Sequence, residues 1–158
     1  MYKSLLVPLD GSELAEVAIN EALKAIDWSH PETRMILLMV NEIHPITSED
    51  REIEKKNLML RSQDYLAKMK KKVEQKVSHI EIVVLNGKSL TEEICKYANN
   101  NDVDLVVIAS HGIGGFMQWA LGSKAEKIIR NCSKPVLIRT RRDAPLDPYL
   151  HIDNLPGL

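Results

Sequence analysis

Residues 103–122 run VDLVVIASHGIGGFMQWALG, and Ser123-Lys124-Ala125-Glu126 follow directly. Val103–Ala109 is the length of a strand, and its apolar character suits one covered on both faces. Four of the seven glycines (Gly112, Gly114, Gly115, Gly122) then crowd into eleven residues. Ser123–Asn131 reads as a helix, and Pro135–Thr140 (PVLIRT) as the fifth strand. Strand, glycine loop, helix, strand is the repeating unit of a parallel sheet.

The same alternation extends back to the start of the chain. Lys3–Leu9 (KSLLVPL) is a short apolar strand that ends in Asp10-Gly11-Ser12. Ser12 is a good N-cap for a helix over Glu13–Ile26, where Leu14, Val17, Ala18, Leu23 and Ile26 recur at helical spacing. Met35–Val40 (MILLMV) is the second strand, and Arg51–Val77 a long amphipathic helix. Leu58, Ser62, Leu66, Met69, Val73 and Val77 form its expected inward stripe. Its basic run Lys70-Lys71-Lys72 is expected on the solvated side, not against a phosphate. Ile80–Leu85 is the third strand, and Leu90–Asn99 a helix opened by Ser89 and stopped by Asn99-Asn100-Asn101. Residues 1–141 are therefore expected to form one domain, followed by a Pro-rich tail over 142–158 that carries three of the seven prolines.

At 158 residues the chain can build one full hydrophobic core. With 21 Lys plus Arg against 22 Asp plus Glu, the formal charge is -1, which argues against nucleic acid or anionic lipid held by bulk charge. Hydrophobic residues at 44% and charged residues at 27% are those of a globular chain. No apolar run reaches the roughly 18 residues of a membrane helix. The opening MYKSLLVPLDGSE places Asp10 and Glu13 where a signal peptide needs apolar sequence. Cys95 and Cys132 form no CxxC pair, so a disulfide framework or zinc site is not expected and the cytoplasm is the expected compartment.

Right-handed crossovers set consecutive strands side by side until the winding reverses. The predicted architecture is a five-stranded parallel sheet of order 3-2-1-4-5 with helices on both faces. Ligands bind at the carboxyl ends of the strands that flank the reversal, which nominates the loops Pro8–Ser12 and Ala109–Ser123. Glycine lets the backbone approach a ligand, and Gly122-Ser123 opens a helix whose first N–H groups lack partners. Those N–H groups with a Ser hydroxyl suit a phosphate; equally, the glycines can simply turn the chain and Ser123 cap the helix.

At these residues the sequence resembles the universal stress protein family, whose nucleotide-binding members carry G-x2-G-x9-G-[S/T] after the fourth strand. Gly112, nine intervening residues and Gly122-Ser123 reproduce its second half, together with VPLDGS, SHG and KPVLIR in the same order. The resemblance covers about residues 3–140 and implies a Rossmann-like fold of the adenine nucleotide alpha hydrolase type. It further implies a cytosolic homodimer that binds ATP with Mg2+ as a regulatory ligand; with no convincing general base or metal-ligand cluster in the sequence, no enzyme is expected, at most slow ATP hydrolysis. By the same resemblance Asp10 lies beside the ribose, Pro8 shapes that loop with Ser12, and the Val40 main chain meets adenine. Ala109, Ser110 and Gly112 line the phosphate path, and Gly122 and Ser123 hold the distal phosphates. Asp10 can equally be a loop carboxylate bonded to amides ahead of the first helix.

Two positions depart from the family pattern: Ala109 replaces the first glycine, and Ile113 stands where many members carry a base. The triphosphate would then rest on N–H groups, Ser123, Lys124 and the divalent cation. Phe116 and Trp119 make the loop apolar, as a core pin, a lid or a partner surface would. These departures favour an alternative, a stress protein without nucleotide that acts through an unknown protein partner. His111 has no acidic orienter in the sequence and is read as structural, not as a catalytic base. Gly87-Lys88-Ser89 imitates a Walker A end, but Val83 stands where its first glycine belongs, and a turn and cap is expected. Apolar Val136, Leu137 and Ile138 on an edge strand call for a partner, which the resemblance identifies as a second copy joined through Pro135–Thr140.

Overall fold

The computed structural model describes residues 2–27, 29–43, 50–77, 79–110 and 122–140, with the side chains of positions 50 and 51 outside the description. Within them β1 (Ser4–Leu9), α1 (Glu13–Ala25), β2 (Arg34–Glu42), α2 (Asp50–Val73) and β3 (His79–Gly87) follow one another. Then come α3 (Leu90–Asn100), β4 (Leu105–Ser110), α4 (Ser123–Asn131) and β5 (Val136–Thr140). All neighbouring strands are parallel, in the order β3-β2-β1-β4-β5, as the alternation predicts. No described helix is long and apolar enough to cross a membrane. The tail and the glycine-rich stretch 111–121 lie outside the described residues.

Because side chains alternate along a strand, each inner strand feeds two cores. Leu5, Val7, Met35, Leu37, Leu105 and Val107 point to one face, where Ala18, Ile19 and Leu23 of α1 and Leu66, Met69 and Val73 of α2 cover them. Leu6, Ile36, Leu38, Val40, Val106 and Ile108 point to the other, beneath Ile94, Cys95 and Ala98 of α3 and Ala125 and Ile128 of α4. β1 and β2 thus need apolar residues at consecutive positions, which is why the sequence there is nearly all apolar.

Helix ends follow the local chemistry. The Ser12 hydroxyl accepts from the Ala15 amide at the start of α1, Glu13 and Glu16 occupy its first turn, and Lys24 its last. At the amino end of the sheet the Asp104 carboxylate accepts the Lys3 and Ser4 amides at 3.0 and 2.9 Å. There Arg34 donates to the Ser4 hydroxyl, the Glu81 carboxylate and the Asp102 carbonyl.

The structure alters two expectations. β2 and β3 run past their apolar segments, because Asn41 donates to Asn86 at 3.2 Å and accepts from the buried Ser62 hydroxyl at 2.7 Å. That polar chain satisfies groups the apolar count ignores. The inward stripe of α2 holds from Ser62 to Val73, where the helix ends short of the expected Val77, itself buried just beyond the turn that follows; Leu58 is exposed along with Ile53 and Leu60. The first half of α2 thus presents apolar side chains to solvent, with Asn86 of β3 beside Ile53 and Leu60.

Two measurements check this packing. Leu66 is fully buried, so Leu66→Ala should lower unfolding free energy by about 2–5 kcal/mol, whereas Leu58→Ala should stay within about 0.5 kcal/mol, both read from urea unfolding. Tyr65 donates to Glu16 at 3.2 Å, and burial first, then the Glu16 charge, hold its phenol well above the usual range. Above about pH 10 the unfolded chain releases this proton while the folded chain keeps it. Stability should therefore fall as pH rises past that point, and Tyr65→Phe should flatten the slope in urea unfolding at about pH 9 and about pH 10.5.

Candidate functional site

β1 stays paired with β2 as far as Leu9↔Met39, and β4 with β5 as far as Ser110↔Thr140. The ladder between β1 and β4, by contrast, consists of Leu5↔Leu105 and Leu6↔Val106. Beyond those pairs the two central strands part, and Pro8 brings no N–H to the sheet there. A cleft of about 280 Å³ opens at their carboxyl ends. This is where the strand order reverses and where a ligand is expected.

The residues nominated from the sequence converge on it. Pro8, Asp10, Ser12, Val40, Ala109, Ser110, Gly122 and Ser123 all line the cleft, although they come from four separate segments of the chain. Gly112 and His111 fall outside the described residues, as do Phe116 and Trp119. Sequence reasoning missed the apolar floor: Leu38, Ile108, Leu90, Ile94 and Ile128. A signal was present, since Leu38 lies two residues before Val40 and so shares its face.

One rim of the cleft is acidic. Asp10 Oδ1 accepts the Ser12 amide at 3.0 Å and the Ser12 hydroxyl at 2.6 Å. Gly11 between them has φ +84°, a conformation that L side chains rarely adopt, so glycine is required for this turn. The loop therefore uses one oxygen of Asp10 to hold itself. The other oxygen has no donor among the described residues, and Asp10 as a whole is exposed. The Ser12 hydroxyl gives its proton to Asp10 and accepts the Ala15 amide at 3.1 Å, so it has no proton left to donate to a ligand.

The opposite rim is the start of α4. Gly122 is its N-cap and brings no side chain to close it. The Gly122 amide donates to the buried Ser110 hydroxyl at 3.2 Å, which ties the end of β4 to the helix. The amides of Ser123, Lys124 and Ala125 precede the first intrahelical bond, from Glu126 N to Gly122 O at 3.0 Å. Their donors, the dipole and the Lys124 ammonium together make this rim positive.

The start of α3 is closed by comparison. The Ser89 hydroxyl accepts from the Glu92 amide, and Glu42 Oε1 accepts the Leu90 amide at 2.9 Å. A Cβ at Gly87 would strike the Glu93 side chain. Gly87-Lys88-Ser89 is thus the turn and cap expected, with a carboxylate of the protein occupying the place an anion would take. No cluster of three or more His, Cys, Asp and Glu side chains able to hold a metal ion exists among the described residues.

The likeness to known proteins agrees with the geometry. The family model for the universal stress protein family matches residues 1–139. The chain is 29% identical over 160 residues to universal stress protein MJ0577 of Methanocaldococcus jannaschii, an alignment covering 91% of this chain and 98% of that one. The solved structure of MJ0577 superposes with a TM-score of 0.70 over 91% of this chain and 99% of that one. Two more distant structures share the fold. One is an Arabidopsis thaliana family member with AMP bound, with TM-score 0.61 and 17% identity over 92% of this chain and 97% of that one. The other is a universal stress protein in complex with cAMP, with TM-score 0.59 and 21% identity over 88% and 97%. On its sheet order, its motifs and a family match that spans nearly all of the domain, the chain belongs to the universal stress protein family.

Proposed function

We propose that the cleft between β1 and β4 binds an adenine nucleotide as a regulatory ligand, with ATP and Mg2+ its fullest occupant. The carrying observation is the polarity of the cleft, apolar along Leu38, Val40 and Ile108, acidic at Asp10 and bordered by the start of α4, whose first amides have no side-chain cap among the described residues. A base fits the apolar floor, and ribose hydroxyls can donate to the unused Asp10 oxygen. Phosphates belong at the helix start, since beside Asp10 they would be repelled. In this reading Pro8 and Ser12 shape the ribose loop, and Ala109, Ser110 and Gly112 line the path to Gly122 and Ser123. The AMP and cAMP complexes of relatives support the ligand class. The protein works as a cytoplasmic homodimer in a stress response, with β5 as the joining strand and binding, not turnover, as the output.

A second reading keeps the family and drops the ligand. Ala109 lines the cleft with a methyl group at the family's first glycine, and Lys124 is the one cation among the described lining residues. In that case the protein acts through a protein partner alone.

Calorimetry with ATP and magnesium separates the two: measurable binding supports the first reading, and none at millimolar nucleotide supports the second. Gly122→Val places a branched side chain where the helix start must meet phosphate. It should weaken binding at least about tenfold, roughly 1.4 kcal/mol, and leave the dimer seen by sedimentation intact; unchanged affinity counts against the phosphate seat. Asp10→Ala should weaken ATP by about tenfold. It should also erase the preference for ATP over its deoxy analogues, which a purely structural carboxylate would leave in place.

A further inference from the structure

The chain has two cysteines, 37 positions apart (132 minus 95), and the fold brings them to one seam. Cys95 is buried in the second turn of α3, with Sγ 3.8 Å from the Ile128 carbonyl of α4. Cys132 is the half-buried C-cap of α4, with Sγ 3.8 Å from Asn99 Oδ1 of α3. Ile128 lies one helical turn before Cys132, and Asn99 one turn after Cys95. Each sulfur therefore reaches the opposite helix a single turn from the other cysteine. The Ile128 carbonyl joins them further, since it also accepts the Cys132 amide at 2.9 Å. The Ser133 amide and hydroxyl bond Asn99 Oδ1 at 3.0 and 2.7 Å, which pins the chain beyond Cys132 against α3.

The two thiols differ in access. Burial first, and the neighbouring Cys132 thiol second, push Cys95 up to about 11. Cys95 is thus a thiol held in reserve beneath a partner that solvent reaches, an arrangement that suits stepwise oxidation.

We propose that Cys95 and Cys132 form a reversible oxidation site that takes hydroperoxides and closes to a disulfide between α3 and α4. The Cys132 thiolate attacks the peroxide, the O–O bond breaks, and the outer oxygen leaves as water or alcohol, which leaves a sulfenic acid. The Cys95 sulfur then displaces that hydroxyl as water, losing its own proton as the S–S bond forms. Two thiols and one hydroperoxide give one disulfide, one water and one further water or alcohol; the peroxide takes the two electrons. The bond staples the carboxyl end of α4, whose amino end forms a rim of the cleft. It stands independently of any nucleotide bound there.

The test oxidises the full chain with hydrogen peroxide and weighs it intact without reductant. The expected product is a monomer about 2 Da lighter, restored by dithiothreitol. Trypsin should join the 89–96 peptide to the 131–139 peptide, and oxidation should raise Tm by several degrees. Cys95→Ser should replace the loss with a gain of oxygen at position 132. Should that buried change unfold the chain, Cys132→Ser serves instead and should leave Cys95 reduced in the folded protein. Stable oxygen addition at Cys132 of the unaltered chain with Cys95 still a thiol, or a Cys132-to-Cys132 link between two chains, overturns the proposal.

Discussion

The structure depends on burying β1 from both sides. Leu5, Leu6 and Val7 lose all contact with solvent, and they do so by turning alternately toward two separate cores. A strand so placed has a sheet neighbour on each edge and a helix layer on each face, so it must be central. Once β1 is central, β2 and β4 have to flank it, and the winding has to change direction between them. The cleft follows from that reversal. Crossovers leaving β1 and β4 depart to opposite faces, α1 to one and α4 to the other, which leaves a gap between the two strand ends among the described residues. An opening at this point is a consequence of the topology, and the residues that line it decide its use.

Most of this was legible in the sequence because burial on both faces leaves a plain signature. MILLMV and VDLVVIA admit one placement, the middle of a parallel sheet, and the glycine cluster marks the loop beside it. Ser12 was legible both as a cap and as a residue of the site, and it does line the cleft while its hydroxyl serves the loop. The two readings of Asp10 are compatible in the folded loop, because a carboxylate has two oxygens and the turn uses one. What the sequence hid was of two kinds. The apolar floor is invisible because a residue such as Ile94 serves core and cleft at once, and periodicity reports only burial. The exposure of Leu58 is hidden because helical spacing says which residues share a face, not how far along the helix the sheet continues. The approach of Cys95 to Cys132 depends on how α3 packs on α4, a tertiary distance that no local spacing encodes.

The starts of α3 and α4 show how small the difference is between a closed helix end and an open one. Both follow a strand on the same face of the sheet, and both begin with orphan amides and a partial positive charge. At α3 the protein answers that charge itself, with the Ser89 hydroxyl and the Glu42 carboxylate. The carboxylate satisfies a donor and also sets a full negative charge where an incoming anion would sit, so it excludes one twice over. At α4 the equivalent position is Gly122, which offers no side-chain oxygen, and the Ser110 hydroxyl accepts the Gly122 amide itself. Ser123, Lys124 and Ala125, the first residues of α4, all line the cleft. Supplying a capping carboxylate here in place of glycine would stabilise the helix by only about 0.3 kcal/mol. A glycine in its place forgoes that small gain and leaves the first amides of α4 without a side-chain cap among the described residues, the feature on which the proposed phosphate seat rests.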